Sequence, residues 1–251
     1  VILPMMPPID DSEIERVLVV TAHPDDVDFG AAGTIASWVA AGIDVTYCIC
    51  TDGGAGGVDR DVPRSEVPGI RRAEQIAAAK ACGVTDVRFL GYLDGELVVS
   101  HDLRRDIVRV IRQVMPDRML IQSPERNWGR IGASHPDHLA AGEAAIQAVY
   151  PDARNPFAHP TLLNDEGLDA WTVREVWLMA DASPNHWVDV TAHLDTKFAA
   201  LDAHASQTAH MDDMRGMITQ WMKLGAETAR ANGIDLPADA AVEAFRVVST
   251  G

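Results

Sequence analysis

The 251 residues are 47% hydrophobic and 23% charged, the balance of a folded domain and not of a disordered or fibrous chain. A chain of this length buries roughly 70–75% of the surface its unfolded form exposes, enough for one substantial core without disulfides. Against 37 acidic residues stand 21 basic ones, and the formal net charge of −16 repels phosphate backbones, which argues against a nucleic-acid partner.

In chain order, residues 1–15 open as a Pro-rich stretch expected to form a loose arm, and residues 1–11 lack the basic start and apolar middle of a signal peptide. No run of about 18 uncharged apolar residues follows, so no membrane span is expected, and the reading is cytoplasmic. Residues 17–22 (VLVVTA) form a continuous apolar run, which suits a strand covered on both faces. A helix is expected over 33–41 and a second strand over 43–51, where Cys48 and Cys50 alternate onto one face as small core residues. The Ala-rich stretch 70–82 reads as a helix ended by Gly83. A strand over 87–91 precedes an amphipathic helix over 103–114, with Leu103, Ile107, Val110, Ile111 and Val114 on one stripe.

Residues 118–123 (RMLIQS) read as the next strand, 137–149 as another Ala-rich helix, and 173–180 as a further strand. Two helices, 196–206 and 213–230, close the chain, the second with Met214, Met217, Ile218, Trp221 and Leu224 inward. Strand and helix alternate, so the fold class is α/β: one domain over 1–251, a Rossmann-like, mostly parallel sheet with helices on both faces. The segment 151–172 has no periodicity and carries Pro151, Pro156 and Pro160, which suggests a lid or binding loop.

Two His-Pro-Asp motifs carry the chemistry. His23-Pro24-Asp25-Asp26 follows the first apolar run, where open α/β sheets collect ligands at the carboxyl ends of their strands. Adjacent carboxylates beside an imidazole repel one another unless a cation sits among them. Its natural ligands are His23 and one carboxylate, leaving the other free to act on water. His135-Pro136-Asp137-His138 opens the helix over 137–149, with His135 and His138 three apart and able to face one side. A lone HPDD also suits a solvated turn, and a lone HPDH a helix start with surface histidines. With both at sheet edges, a shared metal site is the stronger reading. A His₂Asp set drawn from the two supplies three protein ligands and an open position, as in catalytic zinc sites; ferrous iron also fits such a set.

At this point the sequence resembles the LmbE-like or PIG-L-like zinc-dependent N-deacetylases, over nearly its whole length. AHPDDVDFGAAGTIA is similar to that family's opening signature, SHPDHLAAGEAA to its second, and KFAALDAHASQ to a weaker C-terminal one. The resemblance implies metal binding by His23, Asp26 and His138, with Asp25 as general base. It also implies that His135 is the second acid/base or oxyanion-stabilising group. Arg71 in RRAEQ and Asp94 in GYLDGEL stand where family members contact the substrate's sugar; the alternative for Arg71 is a surface pair with Glu74. Where many members carry Glu after HPDD this sequence has Val27, followed by Asp28, and where some carry a Tyr before the second motif it has Ala133.

The glycine-rich DGGAGG (52–57) lacks the dinucleotide-binding order and reads instead as a mobile active-site loop, and P-loop, GxSxG and HExxH motifs are absent. His186 and His204 are the further histidines to watch. The expected activity is metal-dependent removal of an N-acyl group from an amino sugar or its conjugate, most simply with Zn²⁺. The partner is then a small amino-sugar substrate, and the resemblance implies that a homo-oligomer is one form in which it could be met, as relatives often form symmetric assemblies. Two rivals are an amidase for a larger amino-sugar thiol conjugate and a non-catalytic sugar-binding module on the same fold.

Overall fold

A computed structural model describes residues 7–57 and 59–251. Its elements in chain order begin with β1 (Arg16–Thr21), α1 (Asp26–Ala40), β2 (Asp44–Thr51), α2 (Val67–Ala81) and β3 (Asp86–Tyr92). Then come α3 (His101–Val114), β4 (Arg118–Gln122), α4 (Pro136–Gln147), α5 (Pro160–Asn164), β5 (Glu175–Met179) and β6 (His186–Asp189). The chain ends with α6 (Leu194–Ala203), α7 (Ala205–Thr208), α8 (Met214–Ala231) and β7 (Val242–Ser249).

The seven strands form one sheet in the order β3-β2-β1-β4-β5-β7-β6. The first five are parallel to their neighbours, and β7 pairs antiparallel with β5 and β6. Successive side chains of a strand point to opposite faces, so the apolar run of β1 feeds two cores. Leu18 and Val20 pack with Cys48, Leu103, Ile107 and Ala145 under α3 and α4. Val17 and Val19 pack with Tyr47, Ile35, Trp38 and Ala78 under α1 and α2. Strands covered on both faces read as largely apolar runs, which is why β1, β2, β4 and β5 are legible in the sequence, while β3 at the sheet edge is only half-buried. No helix among the described residues is long and apolar enough to cross a membrane.

Five expectations need correction. Helix α1 begins at Asp26, directly after the first motif, and not near Gly33; Val27, Ala31, Ala32 and Ile35 are all buried, so the helix lacks the polar face that would have marked its start. The antiparallel strands β6 and β7 were not expected, because β7 carries Glu243 and Arg246 inside its run. The described part of the N-terminal arm is pinned: Arg118 donates to Asp11 Oδ1 (2.5 Å) and the Ile9 carbonyl (2.9 Å), and Ile14 is buried. Residues 1–6 of that arm lie outside the described residues.

The segment 151–172 does not cover the carboxyl edge of the sheet. Arg112, near the far end of α3, donates to the carbonyls of Asp152 (3.2 Å), Asn155 (2.8 Å) and Ala158 (3.3 Å). Trp171 Nε1 donates to the Pro116 carbonyl (2.8 Å), so the segment packs at the strands' amino edge. On α8, Met214, Ile218 and Met222 face inward at helical spacing, while Trp221 and Leu224 remain 39% and 51% exposed.

Candidate active site

The first motif leaves the sheet where β1 is clamped by both neighbours: the Ala22 carbonyl accepts from Thr51 N (2.8 Å), and Ala22 N donates to Gln122 Oε1 (2.9 Å). The chain then turns sharply, and Asp25 takes φ 93° and ψ −27°, a left-handed conformation that costs a non-glycine residue about 1–2 kcal/mol. Side chains four apart on α2 hold it there. Gln75 Oε1 accepts from Asp25 N (2.7 Å), and Arg71 donates to the Pro24 carbonyl and to Asp25 Oδ2 (2.9 Å). Strain held by dedicated partners marks a carboxylate whose aim matters. Asp26, the first residue of α1, turns back so that its Oδ2 accepts from His23 N (2.7 Å).

The second motif enters from the loop after β4. His135 caps α4 by accepting the Asp137 N–H on Nδ1 (3.2 Å), and Pro136 occupies the first turn, where its missing N–H is not needed. Helix α4 can sit this close to β4 because residue 142 is glycine; a Cβ there would lie 2.3 Å from the Gln122 carbonyl oxygen. His138, one turn into the helix, is thereby brought over the end of β1.

The two motifs meet. His23 Nδ1 lies 3.2 Å from His138 Nε2 and 3.4 Å from Asp26 Oδ2, and His138 Nε2 lies 3.0 Å from Asp26 Oδ1. Donors each ~2.0–2.1 Å from a tetrahedrally held ion stand ~3.4 Å from one another, so these three are spaced to share one. Their protonation fits as well. The far nitrogen of His23, Nε2, faces Asp137 Oδ2 (3.1 Å) and Asp94 Oδ1 (3.2 Å), and His138 Nδ1 faces the Ala133 carbonyl (3.3 Å). With the N–H groups directed to those oxygens, lone pairs remain on His23 Nδ1 and His138 Nε2, pointing at each other. That carboxylate–histidine arrangement is how proteins orient imidazoles toward a metal.

The electrostatics also call for a cation. Burial disfavours a charged His23, yet the carboxylates of Asp26 and Asp94 outweigh it and push the imidazole up to about 11. Burial opposes charge on Asp26 too, but His138 and His23 hold it well below the usual carboxylate range. For Asp25 burial dominates, over the counteracting Arg71, and lifts the carboxyl to about 7. His135 is lowered, first by burial and then by the neighbouring imidazoles.

Two other groupings bring three potential ligand atoms within 4.8 Å: His23 with His135 and His138, and His23 with Asp94 and Asp137. His135 spends its Nδ1 lone pair on the α4 cap, which leaves the proton on Nε2. The oxygens of Asp137 already accept from Gly95 N (2.7 Å) and Leu97 N (3.2 Å), and the residue is fully buried. The side carrying Asp26 and His138 opens into a cleft, about 400 Å³ in volume, whose walls include Phe29, Met179, Arg130 and Trp221.

Arg71 and Asp94 do not lean over this opening. Arg71 is 3% exposed and grips Asp25; Glu74 bonds instead to Ser206 N and Oγ (both 2.7 Å). Asp94 stands behind His23 and accepts from Ala55 N (3.0 Å) in the glycine-rich loop. Sequence reasoning missed Asp137, although it lies inside the second motif, and Gln75, although it shares a helix face with Arg71. It also left His204 unplaced. His204 is fully buried, 2.8 Å from Asp28 Oδ2, which accepts from Gln75 Nε2 (2.8 Å), so a polar chain runs from the C-terminal AHASQ stretch to the Asp25 backbone.

Residues 18–149 match the family model described as PIG-L, GlcNAc-PI de-N-acetylase. The chain belongs to this family. A diacetylchitobiose deacetylase of Thermococcus kodakarensis is 33% identical over 78% of this chain and 71% of its own. A probable N-acetyl-alpha-D-glucosaminyl L-malate deacetylase 2 of Bacillus cereus is 34% identical over 78% of this chain and 85% of its own. Among solved structures, the N,N'-diacetylchitobiose deacetylase of Pyrococcus horikoshii superposes with a TM-score of 0.84 at 29% identity, covering 95% of this chain and 85% of that one. The α/β, mostly parallel architecture expected from the sequence is therefore the architecture of a family member.

Proposed function

We propose that this PIG-L-family chain is a metal-dependent N-deacetylase acting on an N-acetylglucosamine-type amino sugar or its conjugate, with His23, Asp26 and His138 as ligands of a zinc ion. The observation that carries this reading is the facing pair of imidazole lone pairs closed by Asp26, all within 3.0–3.4 Å. The related deacetylases of Thermococcus, Bacillus and Pyrococcus supply the substrate class. A divalent ion held there supplies a Lewis acid for the amide carbonyl and lowers the pKa of water.

The chain's own groups do the rest. Asp25 Oδ accepts the proton of the attacking water; Arg71 and Gln75 fix its direction, so the base is aimed before substrate arrives. His135 carries its proton on Nε2, because Nδ1 is taken by the helix cap. Nε2–H therefore faces the reaction as a hydrogen-bond donor to the oxygen that gains charge, and the proton that Asp25 took from water passes on to the departing amine. Asp94 and Asp137 hold the His23 ring, and we assign Arg71 and Asp94 to positioning instead of sugar contact.

The test is amine release from N-acetylglucosamine conjugates by protein of known metal content. One divalent ion per chain, loss of release on chelation and recovery with zinc are expected. Metal-loaded protein that releases no amine from any N-acetylglucosamine conjugate would overturn the reading.

A further inference from the structure

The cleft that opens on Asp26 and His138 is lined by two cations that the proposed chemistry does not use, Lys197, which is paired with Glu243, and Arg130. Arg130 lies in the loop between β4 and α4, and its guanidinium carbon stands 4.3 Å from the ring centroid of Trp221 on α8. No carboxylate among the described residues lies within ion-pair reach of it, and burial alone pulls its pKa down. The other charged groups lining the cleft are committed elsewhere. Asp181 accepts from Ser123 Oγ (2.7 Å) and Ser183 N (2.8 Å). Glu243 is saturated by Lys197 Nζ (2.7 Å), Gly33 N (3.1 Å) and Thr34 N (2.8 Å). A stacked, planar fork of N–H donors left without an acceptor is the arrangement that recognises a carboxylate or phosphate.

We propose that Arg130, shelved on Trp221, is the specificity-determining residue for an anionic group on the far side of the sugar, so that the preferred substrate is an N-acetylglucosamine conjugate bearing a carboxylate or phosphate aglycone. This rests on the deacetylase reading for its sugar. A cleft of about 400 Å³ is of the size that takes a sugar with one compact substituent. The net charge of −16 opposes any anion at long range, but at physiological ionic strength that field decays within about 8 Å, and a guanidinium in contact outweighs it. The competing view is that Arg130 and Trp221 merely tie the loop to α8; it predicts a stability effect and no substrate preference.

The experiment compares kcat/KM for N-acetylglucosamine 1-phosphate, the malic acid O-glycoside of N-acetylglucosamine, and neutral N,N'-diacetylchitobiose, in wild type and in Arg130→Ala. Wild type should favour at least one anionic conjugate at least tenfold, the better of the two showing whether phosphate or carboxylate is meant. Arg130→Ala should cut the anionic-to-neutral ratio at least tenfold, and Arg130→Lys should restore part of it. Calorimetry of the zinc-loaded protein with glucosamine 1-phosphate and methyl glucosaminide reads the same cleft without turnover. If no conjugate is deacetylated but the phosphate still binds tighter through Arg130, the deacetylase reading fails and the cleft assignment stands. An equal or greater preference for neutral sugars overturns the proposal. So does an anionic preference that survives Arg130→Ala, or a fall in melting temperature with the ratio unchanged.

Discussion

Two buried ionic clusters sit on the same helix, about two turns apart, and they are finished differently. Against the middle of α1, Lys197 of α6 and Glu243 of β7 have side chains 1% and 3% exposed, 2.7 Å apart. Lys197 Nζ uses its remaining donors on the carbonyls of Asp28 (3.0 Å) and Phe29 (2.9 Å), while Glu243 accepts from Gly33, Thr34 and the Thr34 hydroxyl. Every charge and every polar atom has its partner. At the start of α1, by contrast, Asp26, Asp94 and Asp137 surround His23, and two imidazole nitrogens, of His23 and His138, face one another at 3.2 Å. The first cluster closes its own charge; the second, on the proposed reading, closes with a cation. A count of buried charges would not separate the two, but an audit of lone pairs and protons does.

The largest expected effect comes from removing a ligand of the open cluster. His138→Ala should take bound zinc from about one per chain to a small fraction. Amine release should fall by more than the ~10²–10⁴-fold typical of losing a general base. Metal analysis and turnover check both, and unchanged stoichiometry would remove His138 from the ligand set. Next comes Asp25→Asn, which should keep the metal and lose ~10²–10⁴-fold in kcat, because an amide cannot take the proton from water. Near-normal turnover with metal bound would pass the base role to another group. In the closed cluster the effect should fall on stability. Lys197→Met leaves Glu243 buried without its cation, a loss of about 3–5 kcal/mol. For a chain of this size that is a fall of roughly 6–20 °C in melting temperature, with metal stoichiometry of the folded protein unchanged. A variant that melts normally would show that the clasp was neutral to replacement.

The difference between the clusters also explains what was readable in the sequence. The four inner parallel strands announce themselves because both their faces are covered, and the two motifs do so because each packs its polar residues into four consecutive positions. Strand β7 hides because its inward Glu243 is neutralised by Lys197, 46 residues earlier, and no local pattern encodes that pairing. The start of α1 hides because Asp25 must be left-handed without glycine, which only Arg71 and Gln75 on another helix make tolerable. That Arg71 and Asp94 stand beside the two motifs was legible, but not that Arg71 grips Asp25 and Asp94 stands behind His23. Whether a side chain faces the substrate or the back of a ligand is decided by tertiary packing, here by the close approach of the glycine-rich loop. A Cβ on Gly56 would stand 2.4 Å from Arg71 Nη1.

The last and smallest effect concerns pH, and it asks whether the open cluster really trades a proton for a metal. In the metal-free chain His23 is raised from 6.5 to about 11, chiefly by carboxylates that overcome its burial. A raised folded-state value means that the protonated form stabilises the fold, fully below the ordinary pKa and progressively less as pH climbs toward 11. Asp25, raised by burial from 3.8 to about 7, acts in the same direction: between those values the folded chain binds a proton that the unfolded chain does not, so stability falls as pH rises. Asp26 opposes them only in acid, where its lowered pKa gives stability above 3.8 that is lost as pH falls. The metal-free protein should therefore melt at progressively lower temperature from pH 6 to pH 9, a window in which the raised imidazoles of His23, His138 and His204, and Asp25 at its lower end, all slope downward. Metal binding requires a deprotonated imidazole and strengthens over the same interval. Thermal melts with zinc and with chelator should thus diverge by a widening gap, several degrees at the alkaline end, and His138→Ala should collapse it. Parallel melting curves across that range would mean that His23 exchanges no proton for the ion, and the contrast between the two clusters would lose its chemical basis.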